Sequence, residues 1–139
     1  MSSIREQIVA AFVATLTDTG AEAYRSRSDA VSRPESPALI VTPQSEDVNI
    51  VTTHGVDRLL SLQVEVITRG DVPDSLADPI IVAAHQKIMA DQTLGGLCFD
   101  IAEVSSQWAI ESGDLDICSL IAVYRVHYRT AMKALDQEI

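Results

Sequence analysis

Apolar positions along this 139-residue chain recur with two periods. From Ser3 to Thr17, Ile4, Ile8, Ala11, Phe12 and Leu16 fall on one face of a helix. Ser3-Ile4-Arg5-Glu6 has the S-x-x-E form of a capping box, in which the Ser and Glu side chains satisfy free backbone N–H groups. Gly20 suits a stop. The helical period returns in Ile81, Ala84 and Ile88, with Ile80 and Met89 beside them. This predicts a second helix from Ser75 or Pro79 to Asp91, with Asp78 as N-cap and Pro79 as first helical residue. Thr93-Leu94-Gly95-Gly96 then turns the chain.

A period of two marks the strands. Leu60, Leu62, Val64 and Val66 alternate with Ser61, Gln63 and Glu65, as in a strand with one buried face. Ala38–Val41 reads as a short buried strand, and Val48–Thr53 as another after a turn at Pro43–Asp47. A break at His54-Gly55 follows. Two strands close the chain, Cys98–Ala109 and Asp116–Tyr128, around a turn at Glu111–Asp114. Pairing around that turn sets Cys118 beside Ser106 and Cys98 beside Val126, too far apart for a disulfide. Two buried free thiols are the expectation. Residues 20–37 and 43–58 are expected to be mobile loops, because the first is Ser-rich and broken by Pro34 and Pro37. The C-terminal KALDQEI is expected to be exposed.

The order α-β-β-β-α-β-β predicts one α+β domain over residues 1–139. Its sheet is mixed and mostly antiparallel, of about five strands, with both helices on one face. The length permits one hydrophobic core without staples. With aromatics at 4% of residues, that core is built mostly from Ile, Leu, Val and Ala. The last strand carries Leu120, Ala122, Tyr124, Val126 and Tyr128 on one face. On the other lie Leu115, Ile117, Ser119, Ile121 and Val123, followed by Arg125, His127 and Arg129. Apolar residues on both faces point to a doubly covered strand. The helices would form one cover; a second layer of this chain or a neighbouring subunit would form the other. The competing reading is a strand whose end emerges into solvent.

Ten basic and twenty acidic residues give a formal net charge of -10, against a nucleic-acid grip, which draws its affinity from phosphate contacts. Solubility is the plainer reading of the acidity. A surface that DNA slides past is the other. No apolar run approaches the roughly 20 residues of a membrane span. No secretory signal is recognised, so cytoplasmic synthesis is expected.

No catalytic, cofactor-binding or metal-binding constellation is recognised. No Cys or His pair has zinc-ligand spacing. Gly95-Gly96 follows a helix and precedes a strand, the reverse of a phosphate-cradling loop. Glu46/Asp47 and Asp114/Asp116 fall in predicted turns, where solvation leaves carboxylates unsuited to acid–base work. His54, His85 and His127 are read as surface or satisfied histidines. Candidate interface residues are Arg25, Arg27 and Arg33 in the polar connection, Trp108 beside its turn, and Arg125 and Arg129 on the last strand.

The run SLADPIIVAAHQKIMADQTLGGLCFDI, with the closing strand AVYRVHYRT, resembles the tail terminator proteins of long-tailed bacteriophages, including the minor tail protein U type of lambda-like phages and prophages. The N-terminal helix, the strand LSLQVEVITRG and the TLGG turn lie in the same order, and the likeness spans residues 3 to 131. It implies a small mixed sheet with two helices, no catalytic residues and no cofactor. It also implies a ring, usually of six subunits, that caps the tail tube, stops its polymerisation and offers a surface to the head connector. DNA would pass through without specific binding. The implied location is the virion tail, assembled in the bacterial host cytoplasm.

Three functions compete. An assembly protein, as a terminator or a related tail-completion or head–tail joining protein, predicts a closed oligomer. A small-ligand binding or regulatory domain predicts a pocket with convergent polar groups. A small enzyme would draw on His85, His127 and Asp100.

Overall fold

A computed structural model describes residues 2–50 and 55–138; the side chain of Arg33 and all of His54 lie outside the described residues. Among the described residues the chain forms two α-helices and a five-stranded mixed sheet. The elements are α1 (Ile4–Thr15), β1 (Glu22–Arg25), β2 (Ala38–Ile50), β3 (Gly55–Gly70), α2 (Pro73–Ala90), β4 (Asp100–Glu111) and β5 (Asp116–Ala131). The strand order is β1-β2-β3-β5-β4. Only β1 and β2 run parallel; every other neighbouring pair is antiparallel. The α+β class and the order of elements are as the periodicity predicts.

α1 begins where its cap predicts, with Ser3 Oγ accepting from Glu6 N at 3.1 Å. The reciprocal half of the box is not made, because the Glu6 carboxylate turns outward to Arg25. α1 buries Ile4, Ile8, Val9 and Phe12, and α2 buries Ala77, Ile80, Ala84 and Ile88. Both helices pack on the same sheet face, against Leu39 and Val41, Leu60–Val66, and Leu120–Tyr128 at alternate positions.

Several predicted boundaries need correction. α2 starts at Pro73, not at Ser75 or Pro79. Its N-cap is Val72, and Pro79 sits inside the helix, where a single missing N–H does not outweigh the burial of Ile80 and Ala84. The short strand expected at 38–41 and the described part, 48–50, of that expected at 48–53 belong to one strand. A bulge between Pro43 and Ser45 absorbs the proline on an edge, where no ladder bond is lost. The expected loop at 43–58 is therefore largely a β-ribbon, with residues 51–54 outside the described set. The expected loop at 20–37 holds β1 and a 3-10 turn at Arg33–Glu35. Within it, Arg27 grips Glu35 through two hydrogen bonds of 2.7 and 2.8 Å.

The closing hairpin is offset from the expected register. Cys118 pairs with Ile110 and not Ser106, while Cys98 precedes the strand, its thiol donating to the Gln92 carbonyl. The offset arises at the turn, which is centred two residues later than expected because β4 runs on to Glu111 opposite Ile117; the shift between Glu103 and Ser105 takes one residue of it back. Both cysteines are buried and free. Burial pushes the Cys98 thiol up to about 12 and raises that of Cys118. The C-terminal tail exposes most of its side chains, but the Leu135 carbonyl accepts from Ile4 N at 2.8 Å, tying the tail to α1.

Candidate assembly interface

The helices cover one face of β5. On the other face Ile117, Ile121 and Val123 are only partly buried, and Arg125 is exposed. Loop 26–37 covers one corner of that face, where Val31 packs on Ala38 and Ile40 beside Tyr24 and Ile67. The rest has no second layer among the described residues.

The sheet has two unlike edges. β4 is an edge strand of 12 residues on which only Ile101 is buried. It carries Asp100, Glu103 and Glu111, no basic residue and no proline. Trp108 and Ile110 stand on its helix-side face at 56% and 54% exposure, because α2 lies over β3 and β5 and leaves that end of β4 uncovered. Edge strands are normally blunted by lysine, proline or brevity; β4 has only the shift near Val104. A groove of about 350 Å³ runs between α2 and β4, with Leu120, Ile81 and Trp108 in its walls and Asp74, Asp78 and Glu103 at its rim.

The opposite edge is short and of mixed charge, its arginines paired with carboxylates. β1 pairs only with Ala38–Val41, so β2 is a free edge beyond Thr42. Above the bulge, α1, β1 and β2 frame a cleft of about 330 Å³ that holds Arg5, Arg25, Glu6 and Glu46, with Val9, Pro43 and Leu60 also in its walls. Arg25 donates to both carboxylate oxygens of Glu6, at 2.7 Å for one of them, and holds that carboxyl below its usual range. Glu46, expected in a solvated turn, is instead the hub of a largely buried cluster. It accepts from Arg5 at 2.9 Å, from Arg58 at 3.1 Å and from the Tyr128 hydroxyl. Arg58 also donates to Thr130 Oγ1 at 2.9 Å. The signal that could have found this cluster is the absence of any glycine between Val41 and Ile50, which lets the strand run on.

The predicted interface residues therefore divide. Trp108 and Arg125 are exposed, and Arg125 makes no ion pair among the described residues. Arg25 and Arg27 flank the β1 edge but are engaged by Glu6 and Glu35. Arg27 also lies 4.7 Å over the Tyr24 ring. Arg129 donates to Asp57 at 2.6 Å, the main reason that carboxyl sits below its usual range, and stacks on Phe99. Trp108 and the Arg25/Arg27 pair lie on opposite edges of the sheet.

The residues that would serve an enzyme do not converge. His85 shares a 2.8 Å hydrogen bond with the Tyr124 hydroxyl on the helix side. His127 lies on the other side of the sheet, 3.4 Å from Asp57. Asp100 is its cross-strand neighbour. Among the described residues no group of three His, Cys, Asp or Glu side chains could hold a metal ion, and no helix is long and apolar enough to cross a membrane.

No family model and no curated protein matches the chain. Its fold does have a match among solved structures: a chain in the virion of a native gene transfer agent particle, at a TM-score of 0.53. This is a fold found in a virion. The likeness covers 90% of each chain at 14% identity.

Proposed function

We propose that this chain is a non-enzymatic structural protein of a phage or phage-like virion. Its specific role is that of a tail terminator: a homo-oligomeric ring that caps the tail tube, stops its polymerisation and presents a joining surface to the head connector. The observation that carries the reading is the fold likeness to a chain of a gene transfer agent virion over nearly the whole length of both chains. The terminator-like segments around TLGG and AVYRVHYRT add the finer role. The uncovered edge of β4 supports it, because a strand with so little edge protection suits a subunit completed by a neighbour. A net charge of -10 suits a channel that DNA crosses without being held. The location that follows is the virion tail, assembled in the host cytoplasm.

The alternative of a small-ligand domain has less support. The cleft at α1 is of ligand size, but Arg5, Arg25, Glu6 and Glu46 neutralise one another within it. The deciding experiment mixes the purified protein with tail tubes and images the tube ends. A ring on capped tubes of fixed length is expected. Tubes that elongate without limit in its presence would count against the terminator role.

A further inference from the structure

The groove between α2 and β4 has a direction. At one end Thr68 Oγ1 donates to the Pro73 carbonyl, and Thr68 lies in a cross-strand row with Cys118 and Ile110. At the other end His85 bonds the Tyr124 hydroxyl, in the row of Tyr124 and Glu103. α2 therefore runs antiparallel to β4. Asp74 and Asp78, near the start of α2, stand at the Trp108–Ile110 end, and Glu103 stands at the other. Between them the wall is apolar, from Ile81, Leu120 and Trp108. No lysine or arginine lines the groove. Asp74 and Asp78 are exposed and in no ion pair among the described residues. The ion-pair neighbour of Glu103 is His85 at 3.5 Å, which is charged only when protonated. The cleft beside α1 differs, because its arginines already hold its carboxylates. The negative charge of the α2–β4 groove is left without a cation.

We propose that this groove and the open edge of β4 take an extended, basic segment of a partner protein. The segment adds to β4 as a further strand and satisfies the outward N–H and C=O groups of its 12-residue edge. Side chains of a strand alternate between faces, so every second one lies on the side of α2. Apolar side chains there cover Trp108 and Ile110. Lysine or arginine meets Asp74 and Asp78 at one end and Glu103 at the other. The charge selects against nucleic acid and against acidic segments. A second copy is the poorer source, because Arg25 and Arg27 at its β1 edge are held by Glu6 and Glu35. Pairing of two β4 edges would add carboxylates to carboxylates. The segment is defined by its chemistry, so the contact does not rest on the ring reading.

The test selects a displayed library of random peptides of 12 residues, the length of β4, on the immobilised full chain. Selected peptides without tryptophan are then titrated against the protein at physiological salt. Trp108, the sole tryptophan, reports through its emission, and a label on the peptide reports through polarisation. Enriched peptides are expected to carry lysine or arginine flanking alternate apolar residues. They should shift Trp108 to the blue and protect it from acrylamide. Trp108→Ala should weaken binding at least about tenfold, and Asp78→Asn and Glu103→Gln about two- to fivefold each. All three side chains are exposed, so the variants keep the fold. Two adjacent prolines at the peptide centre should abolish binding, because one of them removes a ladder hydrogen bond. No enrichment, or enrichment of acidic or uncharged peptides, overturns the proposal. Basic peptides that ignore Trp108→Ala and the prolines and are released by high salt report only an acidic surface, and overturn it too. Trp108 that becomes protected with protein concentration alone means that a second copy closes the edge, which also overturns it.

Discussion

Replacing Glu46 by alanine removes the acceptor shared by Arg5, Arg58 and Tyr128. The Arg58 side chain is 9% exposed and that of Glu46 10%, so Arg58 would be left charged in a nearly dry site with only Thr130 as partner. Breaking a buried pair from one side costs about 3–5 kcal/mol, most of it the uncompensated charge. Arg5 adds little to this sum, because its side chain is 43% exposed and regains water. For a domain of this size the loss lowers Tm by roughly 10–20 °C. Glu46→Gln, which keeps one acceptor, falls between alanine and wild type. The adjacent Asp47 is exposed, and Asp47→Ala should change stability by less than about 0.5 kcal/mol. Urea unfolding of all four proteins at one low concentration separates this effect from assembly. Equal stability of the Glu46→Ala and Asp47→Ala variants would refute the buried cluster.

The remaining predictions use other parts of the fold. Arg129 and then His127 hold the Asp57 carboxyl below 3.8, so its stabilisation is present above that pH and is lost as pH falls through the lower folded value. Asp57→Asn should flatten the acid limb of a stability–pH profile below about pH 4, and an unchanged limb would count against it. Burial first, and then Glu46, raises the Tyr128 hydroxyl above its ordinary 10; burial and then Glu103 do the same for Tyr124. The stabilisation is complete below about pH 10 and is lost above it, so tyrosinate absorbance from these two residues should appear together with unfolding. Cys98 and Cys118 should resist a thiol reagent at pH 8 in the native protein and react in denaturant. Gel shift with duplex DNA at physiological salt should show no tight complex, given a charge of -10.

Much of the fold is legible in the chain because the periods are strong where one face is buried. The alternation in β3 and β5 and the helical stripes of α1 and α2 place most of the main core; Leu39, Val41, Leu94, Cys98 and Ile101 complete it. β1 is not legible: Glu22-Ala23-Tyr24-Arg25 has no apolar run, and it becomes a strand only because β2 offers a parallel partner. β2 is divided in a sequence reading because Pro43 and Glu46-Asp47 carry turn chemistry. The bulge lets the strand continue, and Arg58 and Tyr128 hold Glu46 from β3 and β5. Trp108 and Arg125 keep the exposure their positions suggest. The engagement of Arg25 and Arg27 depends on Glu6 and Glu35, partners brought close by tertiary folding and by a turn, which periodicity does not report. The apolar run on both faces of β5 is legible in the chain, but it does not choose between a second cover and a strand end that emerges into solvent; among the described residues Ile117, Ile121 and Val123 stay partly exposed.

The central claim, that this chain is a ring-forming subunit, is tested most directly by the mass of its native assembly together with single-particle images. The account predicts one closed homo-oligomer with a central channel, forming with concentration or on tail tube ends. A strict monomer at high concentration, with tail tube protein present, would contradict it.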